Sequence, residues 1–395
     1  MTFQKQRITV LGSTGSIGVS TLDVIARHPD RFEVFALSAA TQVDLMLAQC
    51  VQFKPSYAVM VSEPHARLLA EKVKSNGMSV QVLWAQDDLE MIASHELVDA
   101  VMAAIVGAAG LPPCMAAAKA GKRLLLANKE ALVVGGDVFM QAVRAGNAKL
   151  LPIDSEHSAI FQSLPDDPST WPHRVEKIIL TASGGPFRAR EPASLRHVTP
   201  DEACAHPNWV MGRKISVDSA TMMNKALEVI EAKYLFGLTP KQIEVVIHPQ
   251  SVIHSMVQYH DTSVVAQLGT PDMRVPIAYG LAWPDRISSG ARALDFRSLA
   301  NMTFEVPDDA RFPGLPLAWE VLKAPVGSTA VLNAANEIAV AAFLDKRIRF
   351  DHIHRVNLAT LDAVAVSGVN DIEGLLALDS RARLVASQIA EGLSL

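Results

Sequence analysis

Six short apolar runs separated by stretches with helical spacing occupy residues 7–151: RITVLG, FEVFALS, YAVMVS, AVMAAIVG, KRLLLAN and AKLLPI. Polar residues do not alternate along these runs, so a strand made from one has no face to turn to water and must be covered on both sides. Between them lie amphipathic segments such as STLDVIARH, and strands alternating with helices specify a doubly wound parallel sheet. The expected fold class is α/β, with a Rossmann-like domain over residues 1–151.

The remaining pattern changes twice. Residues 152–285 carry the strand-like runs EKIILTAS, EVVIH and SVVAQLG among long polar loops, and 252–259 with 263–268 read as an antiparallel hairpin. A central α+β domain is expected there. Residues 286–315 are rich in Pro, Gly and Ser and read as a linker, whereas 316–395 carry apolar residues at three- and four-residue spacing and read as a C-terminal helical bundle. A chain of 395 residues accommodates this at about 150 residues per domain.

Charge and composition remove several classes of function. With a formal net charge of −5 the chain has no basic stripe for nucleic acid. The uncharged run Val101–Ala118 is broken by Pro112 and Pro113, so no membrane span is expected. Cys50, Cys114 and Cys204 form no CxxC pair and the first residues, MTFQKQRITVLG, lack a leader's apolar region; a cytoplasmic protein is expected.

Three stretches carry chemistry. In ITVLGSTGSIGVSTLDVI, Gly12, Gly15 and Gly18 follow the first strand and precede a helix, where backbone N–H groups can approach a pyrophosphate. The GxxGxxG spacing is not the dinucleotide fingerprint GxGxxG, and a plain strand–helix turn is the alternative. After the second strand, Ser38, Thr41 and Gln42 precede the first acid, Asp44, which favours NADP over NAD. In LLLANKEAL, Asn128, Lys129 and Glu130 come at a strand end of the same sheet, as ligand contacts or as a capped helix start.

In LLPIDSEHSAIFQ an extended chain would point Asp154 and Glu156 to the same side, so that a cation between them would relieve their repulsion. On a helix starting near Ser219, Asn224 and Glu228 share a face that Lys225 borders; Glu231 lies a turn further on, and spacing does not choose between the two glutamates. Asp154, Glu156 and one of them would make an all-oxygen site suited to Mg²⁺ or Mn²⁺. Ser155, Ser183 and Ser219, with Asn224 and Lys225, supply donors for a phosphate monoester. His157 and His206 are read as hydrogen-bonding rather than ligating.

Taken in order, LGSTGSIG, AAIVGAAGL, LLANKE, DSEH, SGGPF, HPNW, MGRKISVDSATMMNK, HPQSVIHSMV and LNAANE span nearly the whole chain, which resembles the 1-deoxy-D-xylulose 5-phosphate reductoisomerase family. The resemblance implies NADPH- and divalent-metal-dependent rearrangement and reduction of a sugar phosphate in non-mevalonate isoprenoid synthesis. It implies that Asp154, Glu156 and Glu228 hold the metal, which settles the choice against Glu231. Ser183, Ser219, Asn224 and Lys225, with His206 nearby, match a phosphate site, and Lys129 and Ser155 match residues at the reacting end. Thr14, Gly15, Ser16, Ile17, Asn128, Glu130 and Gly212 match cofactor positions. Residues 206–214 match a flap whose Trp209 covers the substrate, and a homodimer is implied. Where the family usually carries Gly, a basic or small polar residue and Asn, this chain has Ala40, Thr41 and Gln42, so weaker discrimination between NADPH and NADH is expected. Two rivals remain: a metal-independent, homoserine-type dehydrogenase and a nucleotide-sensing scaffold.

Overall fold

In the structure, a computed structural model describing residues 5–209, 211–297, 299 and 301–394, the N-terminal runs form a seven-stranded parallel sheet. Its strands are β1 (Gln6–Leu11), β2 (Phe32–Ala39), β3 (Tyr57–Met60), β4 (Gln81–Leu83), β5 (Ala100–Ala103), β6 (Arg123–Leu126) and β7 (Lys149–Pro152), in the order β4-β3-β2-β1-β5-β6-β7. Helices α1 (Ser16–Arg27), α2 (Val43–Phe53), α3 (Glu63–Ser75), α4 (Gln86–Ser94), α5 (Leu111–Lys119) and α6 (Lys129–Ala145) alternate with the strands. Ile8, Val10, Val101, Met102, Leu124 and Leu125 are wholly buried, as the unbroken apolar runs require.

The sheet's order reverses between β1 and β5, and open α/β sheets bind ligands at the carboxyl edge beside such a reversal. Two elements differ from expectation here. β4, absent from the sequence reading, is an edge strand of three residues with an exposed Gln81, too short and too wet to make an apolar run. β5 ends at Ala103 rather than near Gly107; Pro112 and Pro113 stand in the first turn of α5, where a missing N–H costs little.

The chain continues into α7 (Ser155–Ser163), α8 (Trp171–Arg174), β8 (Val175–Ala182), α9 (Pro200–Cys204), α10 (Arg213–Ala220), α11 (Met223–Phe236), β9 (Ile243–Ile247), β10 (Ile253–Tyr259) and β11 (Val264–Leu268). The four strands form a mixed sheet in the order β11-β10-β8-β9, with the expected β10–β11 hairpin antiparallel and β8–β9 parallel. Ala226, Leu227, Val229 and Ile230 of α11 are buried in one core with Ile178 and Leu180 of β8.

Next come α12 (Arg274–Ala282) and the helices α13 (Leu317–Lys323), α14 (Ser328–Leu344), α15 (His352–Ala363) and α16 (Ile372–Gly392). The sequence of α14, rich in Ala, Val and Leu on every side, explains why it is buried almost throughout, with α15 and α16 packed on it. Among the described residues no helix is long and apolar enough to cross a membrane, and all three cysteines are free.

The sequence pattern places borders at 151, 285 and 315; packing groups the chain differently. Met1–Ala131, Phe139–Ser155 and Asp272–Arg292 form one unit, and Leu132–Val138, Glu156–Pro271 and Ala293–Leu395 form the other. The first unit regains α12 more than a hundred residues after its last strand, because that helix packs beside α1, β6 and β7.

Candidate active site

In the first unit, the turn after β1 begins at Gly12, whose φ of +80° is left-handed and where a Cβ would stand 2.6 Å from the carbonyl oxygen of Ala104. The loop after β5 therefore lies directly on it. Ser38, at the end of β2, accepts from the Gly12 N–H at 3.0 Å through its hydroxyl and from the Ser13 N–H at 2.8 Å through its carbonyl. Ser13 is itself held by Gln49, which accepts from the hydroxyl at 2.7 Å and donates to the carbonyl at 2.9 Å.

The consequence is a braced loop whose outer part, Thr14 to Ile17, is half-buried or exposed. Gly15 stands before α1 in extended conformation without a side-chain cap, leaving first-turn N–H groups for an anion. Ser38 is buried and braces the loop, and sequence reasoning missed Ser13 and Gln49 beside it. Ala40, Thr41 and Gln42 are exposed at the start of α2.

Asn128 is both a cap and a brace. Its side-chain oxygen accepts from the Ala131 N–H at the start of α6, and its amide donates to the carbonyls of Ile105 and, at 3.0 Å, Gly107. Glu130, in the first turn of α6, is buried. Lys129 sends its ammonium 2.8 Å from the Asp154 carboxylate, with both side chains largely buried.

The expectation of an extended chain through Asp154 and Glu156 is corrected by the structure. β7 stops at Pro152 and α7 starts at Ser155, so Asp154 precedes the helix and Glu156 lies in its first turn, where an acid is favoured. The chain passes from the first unit to the second between Ser155 and Glu156.

The second unit gathers the other predicted groups. A single helix from Ser219 was expected; instead Met222, with a left-handed φ of 61°, separates α10 from α11. Ser219 thus ends one helix while Asn224 and Lys225 open the next. The Lys225 ammonium, 3% exposed, lies 2.8 Å from Glu156 and also contacts Glu228, which is wholly buried and accepts from the Asn224 amide. Glu231 faces elsewhere: it pairs at 3.1 Å with His157 Nδ1, while His157 Nε2 meets the Glu228 carbonyl at 2.9 Å. Glu228, and not Glu231, thus shares the Lys225 ammonium with Glu156.

Ser183 follows β8 and its hydroxyl lies 2.9 Å from His206 Nε2. The His206 Nδ1 accepts from the N–H groups of Asn208 at 3.2 Å and Trp209 at 3.0 Å, so Nε2 carries the hydrogen and donates to Ser183. Burial holds this imidazole below the ordinary histidine value, against the opposing pull of the Glu156 carboxylate. Asn208 donates to the Pro249 carbonyl at 2.8 Å and to Ser251 at 3.0 Å, and the Trp209 ring lies 6.2 Å from that of His254. Residues 249–254 therefore seat Asn208 and Trp209, though no single residue of HPQSVIH stood out in the sequence. Gly212, expected with the cofactor set, precedes α10 in this second unit.

Each unit thus carries part of the predicted set, with the Lys129 ammonium on one carboxylate in the first and the Lys225 ammonium on two in the second. The pattern of 1-deoxy-D-xylulose 5-phosphate reductoisomerase matches residues 8–136, and those of its two C-terminal domains match 150–236 and 268–385. The chain belongs to the 1-deoxy-D-xylulose 5-phosphate reductoisomerase family. It is 59% identical over 383 residues to the reductoisomerase of Aromatoleum aromaticum, covering 96% of this chain and 95% of that one. A solved reductoisomerase in complex with NADPH, fosmidomycin and magnesium superposes with a TM-score of 0.94 at 44% identity, covering 98% of both chains. That of Zymomonas mobilis in complex with NADPH gives 0.92 at 46% identity over 99% of this chain and all of the other. The family is one of enzymes, oxidoreductases that also isomerise, and the α/β architecture of this chain is theirs.

Proposed function

We propose that this chain catalyses the NADPH- and divalent-metal-dependent rearrangement and reduction of 1-deoxy-D-xylulose 5-phosphate to 2-C-methyl-D-erythritol 4-phosphate, a step towards isoprenoid precursors. The observation carrying this reading is the cluster of half-buried Glu156 with buried Lys225 and Glu228, in the same unit as the hydroxyls of Ser183 and Ser219. A plain dehydrogenase has no use for carboxylates buried at such cost.

Both implied groups fit the residues present. Asp154, Glu156 and Glu228 offer hard oxygen ligands for Mg²⁺ or Mn²⁺, and the lysines on them mark places where positive charge is already required. Thr14 and Gly15 lead into α1 and Ser16 and Ile17 open it, an anion site for the pyrophosphate of NADPH, with Ala40–Gln42, Asn128 and Glu130 completing the cofactor set in the same unit. When bound, the cation supplies Lewis-acid polarisation of adjacent carbonyl and hydroxyl oxygens, and the reduced nicotinamide supplies hydride.

The chain's own residues do the rest. Ser183, Ser219 and Asn224 donate hydrogen bonds to the substrate phosphate, and His206 orients Ser183 through its Nε2–H. Lys225 changes partner: its ammonium neutralises Glu156 and Glu228 while no cation is bound and turns to the phosphate when one is. Lys129 does likewise for Asp154, then serves the reacting end with Ser155. Trp209, on the flap over residues 206–214, covers the substrate and keeps water from the aldehyde formed before reduction. Residues 1–151 serve the cofactor, 152–285 the chemistry, and the bundle over 316–395 supports them beyond the linker at 286–315. The exposed edge strand β11, with Val264 48% and Val265 45% exposed, supports a homodimer in which a second copy covers it.

Following NADPH absorbance with 1-deoxy-D-xylulose 5-phosphate, with Mg²⁺ and then with excess EDTA, tests the reading. Oxidation abolished by EDTA and restored by Mg²⁺ or Mn²⁺ is expected; EDTA-insensitive oxidation would discard the metal, and no oxidation in any condition would discard the reaction.

A further inference from the structure

A string of four polar side chains crosses the apolar interior of the second unit. Asn357 of α15 donates through Nδ2 to Asn336 Oδ1 of α14 at 3.3 Å; Asn336 Nδ2 donates to Asp218 Oδ1 of α10 at 2.7 Å; and Lys214 lies 2.9 Å from Asp218 Oδ2. Asn357 and Asn336 are wholly buried and Asp218 is 1% exposed. Around them stand Val217, Ala220, Ala335, Ala339, Val340 and Val356. Burying a carboxylate and two amides there is costly, and apolar residues of similar volume would hold the same elements together without that cost. Apolar packing sets the seat of a helix through shape alone, whereas each hydrogen bond here adds a required distance and direction between named atoms.

The orientation concerned is that of α10. Its next residue after Asp218 is Ser219, and the turn carrying Ser183 is pressed against it. A Cβ on Gly185, whose φ is +63°, would stand 2.6 Å from the Ser219 carbonyl oxygen and 3.1 Å from Ala220 Cα. The Gly185 N–H in turn donates to the Ser183 hydroxyl at 3.1 Å. A shift or roll of α10 therefore changes the spacing of the two hydroxyls.

We propose that Asn336 is a positioning residue for the phosphate site: through Asp218 it fixes the seat of α10 and hence Ser219 relative to Ser183. The proposal rests on the reading of those serines as phosphate donors. It also gives the C-terminal helices a part in substrate affinity, because Asn336 and Asn357 belong to α14 and α15.

The test compares Asn336→Ala, the isosteric Asn336→Asp, the exchange Asp218→Asn with Asn336→Asp, and Ser219→Ala. For each full-length variant one measures kcat, the KM for the sugar phosphate, competitive inhibition by inorganic phosphate, NADPH affinity by fluorescence, and the melting temperature. Asn336→Ala is expected to raise both the KM and the inhibition constant of phosphate about tenfold, with kcat within about twofold and NADPH affinity unchanged. The exchanged pair, which keeps an amide donating to a carboxylate, is expected to return both constants to within about threefold of the parent.

Should Asn336→Ala melt below the assay temperature, Asn336→Asp against the exchanged pair makes the same comparison at constant shape. A lower melting temperature with KM and phosphate inhibition unchanged would mean a structural role only and overturn the proposal. If Ser219→Ala weakens phosphate inhibition but the Asn336 variants do not, positioning fails while the phosphate reading stands. If Ser219→Ala leaves phosphate inhibition unchanged, the phosphate reading itself fails and takes the proposal with it.

Discussion

Replacing Lys225 by methionine keeps most of the side chain's volume and removes only its ammonium, which makes it a sharp probe of the carboxylate cluster. Glu228 is wholly buried and Glu156 is 20% exposed, so after the change both carboxylates lose the Lys225 ammonium where little water can replace it. Removing one partner of a buried ion pair costs about 3–5 kcal/mol, and because Asn224 still donates to Glu228 the lower end applies here, about 3 kcal/mol. In a unit of this size that lowers the melting temperature by about 6–12 °C. Mg²⁺ should then do more for the variant than for the parent, because in the parent it must first displace the ammonium. At a concentration a hundred times its dissociation constant it recovers about 2.7 kcal/mol, nearly the whole loss. Differential scanning calorimetry of both proteins, in EDTA and across a Mg²⁺ titration, measures this. A metal-free variant that melts within about 2 °C of the parent, or equal shifts of both proteins with Mg²⁺, would refute the reasoning.

The remaining predictions concern the glycine turn after β1, helix α9 and cofactor choice. Gly12→Ala puts a methyl group 2.6 Å from the Ala104 oxygen at a left-handed backbone, so NADPH affinity by fluorescence titration should fall at least about tenfold while the far-UV spectrum is kept; an unchanged affinity would separate the loop from the cofactor. Glu202 accepts from the Thr199 N–H, from Arg190 and from the Thr199 hydroxyl, which hold its carboxyl at about 2, below its ordinary 4.5. Its contribution is therefore complete above about pH 4.5 and lost as pH falls towards about 2, and the stability gap between parent and Glu202→Gln should be widest near pH 6 and shrink by pH 3; a gap that does not change with pH counts against the charge. With no basic residue among Ala40, Thr41 and Gln42, the kcat/KM ratio of NADPH to NADH should stay below about 100, and Thr41→Arg should raise it about tenfold; a ratio insensitive to that change would place the 2′-phosphate elsewhere.

The first unit was legible to the extent that its strands are apolar throughout. β1, β2, β5 and β6 announce themselves because both faces are buried, and β4 does not because it is three residues long at a wet edge. The chemical residues were legible as types but not as partners. Asn128 reads equally as a cap or a ligand contact, and the structure shows its amide capping α6 while bracing the loop after β5. Asp154 and Glu156 were read on an extended chain, yet they straddle the start of a helix, since the local pattern DSEHSAIFQ does not reveal that β7 ends at Pro152.

Local chemistry that repeats or persists along the chain is what the sequence determined alone: the parallel sheet, the hairpin, the helical C-terminal region, the glycine turn and the supply of hard oxygen ligands. Those follow from periodicity and from functional groups that every residue carries with it. Tertiary structure decided which of those groups meet. It set Glu228 rather than Glu231 beside Lys225, turned Glu231 to His157, returned α12 to the first sheet, and joined Asp218 to Asn336 across 118 positions of chain. The physical reason is that such pairings depend on how buried helices roll and where their axes lie, quantities set by packing among residues far apart in the chain and invisible in the spacing of neighbours.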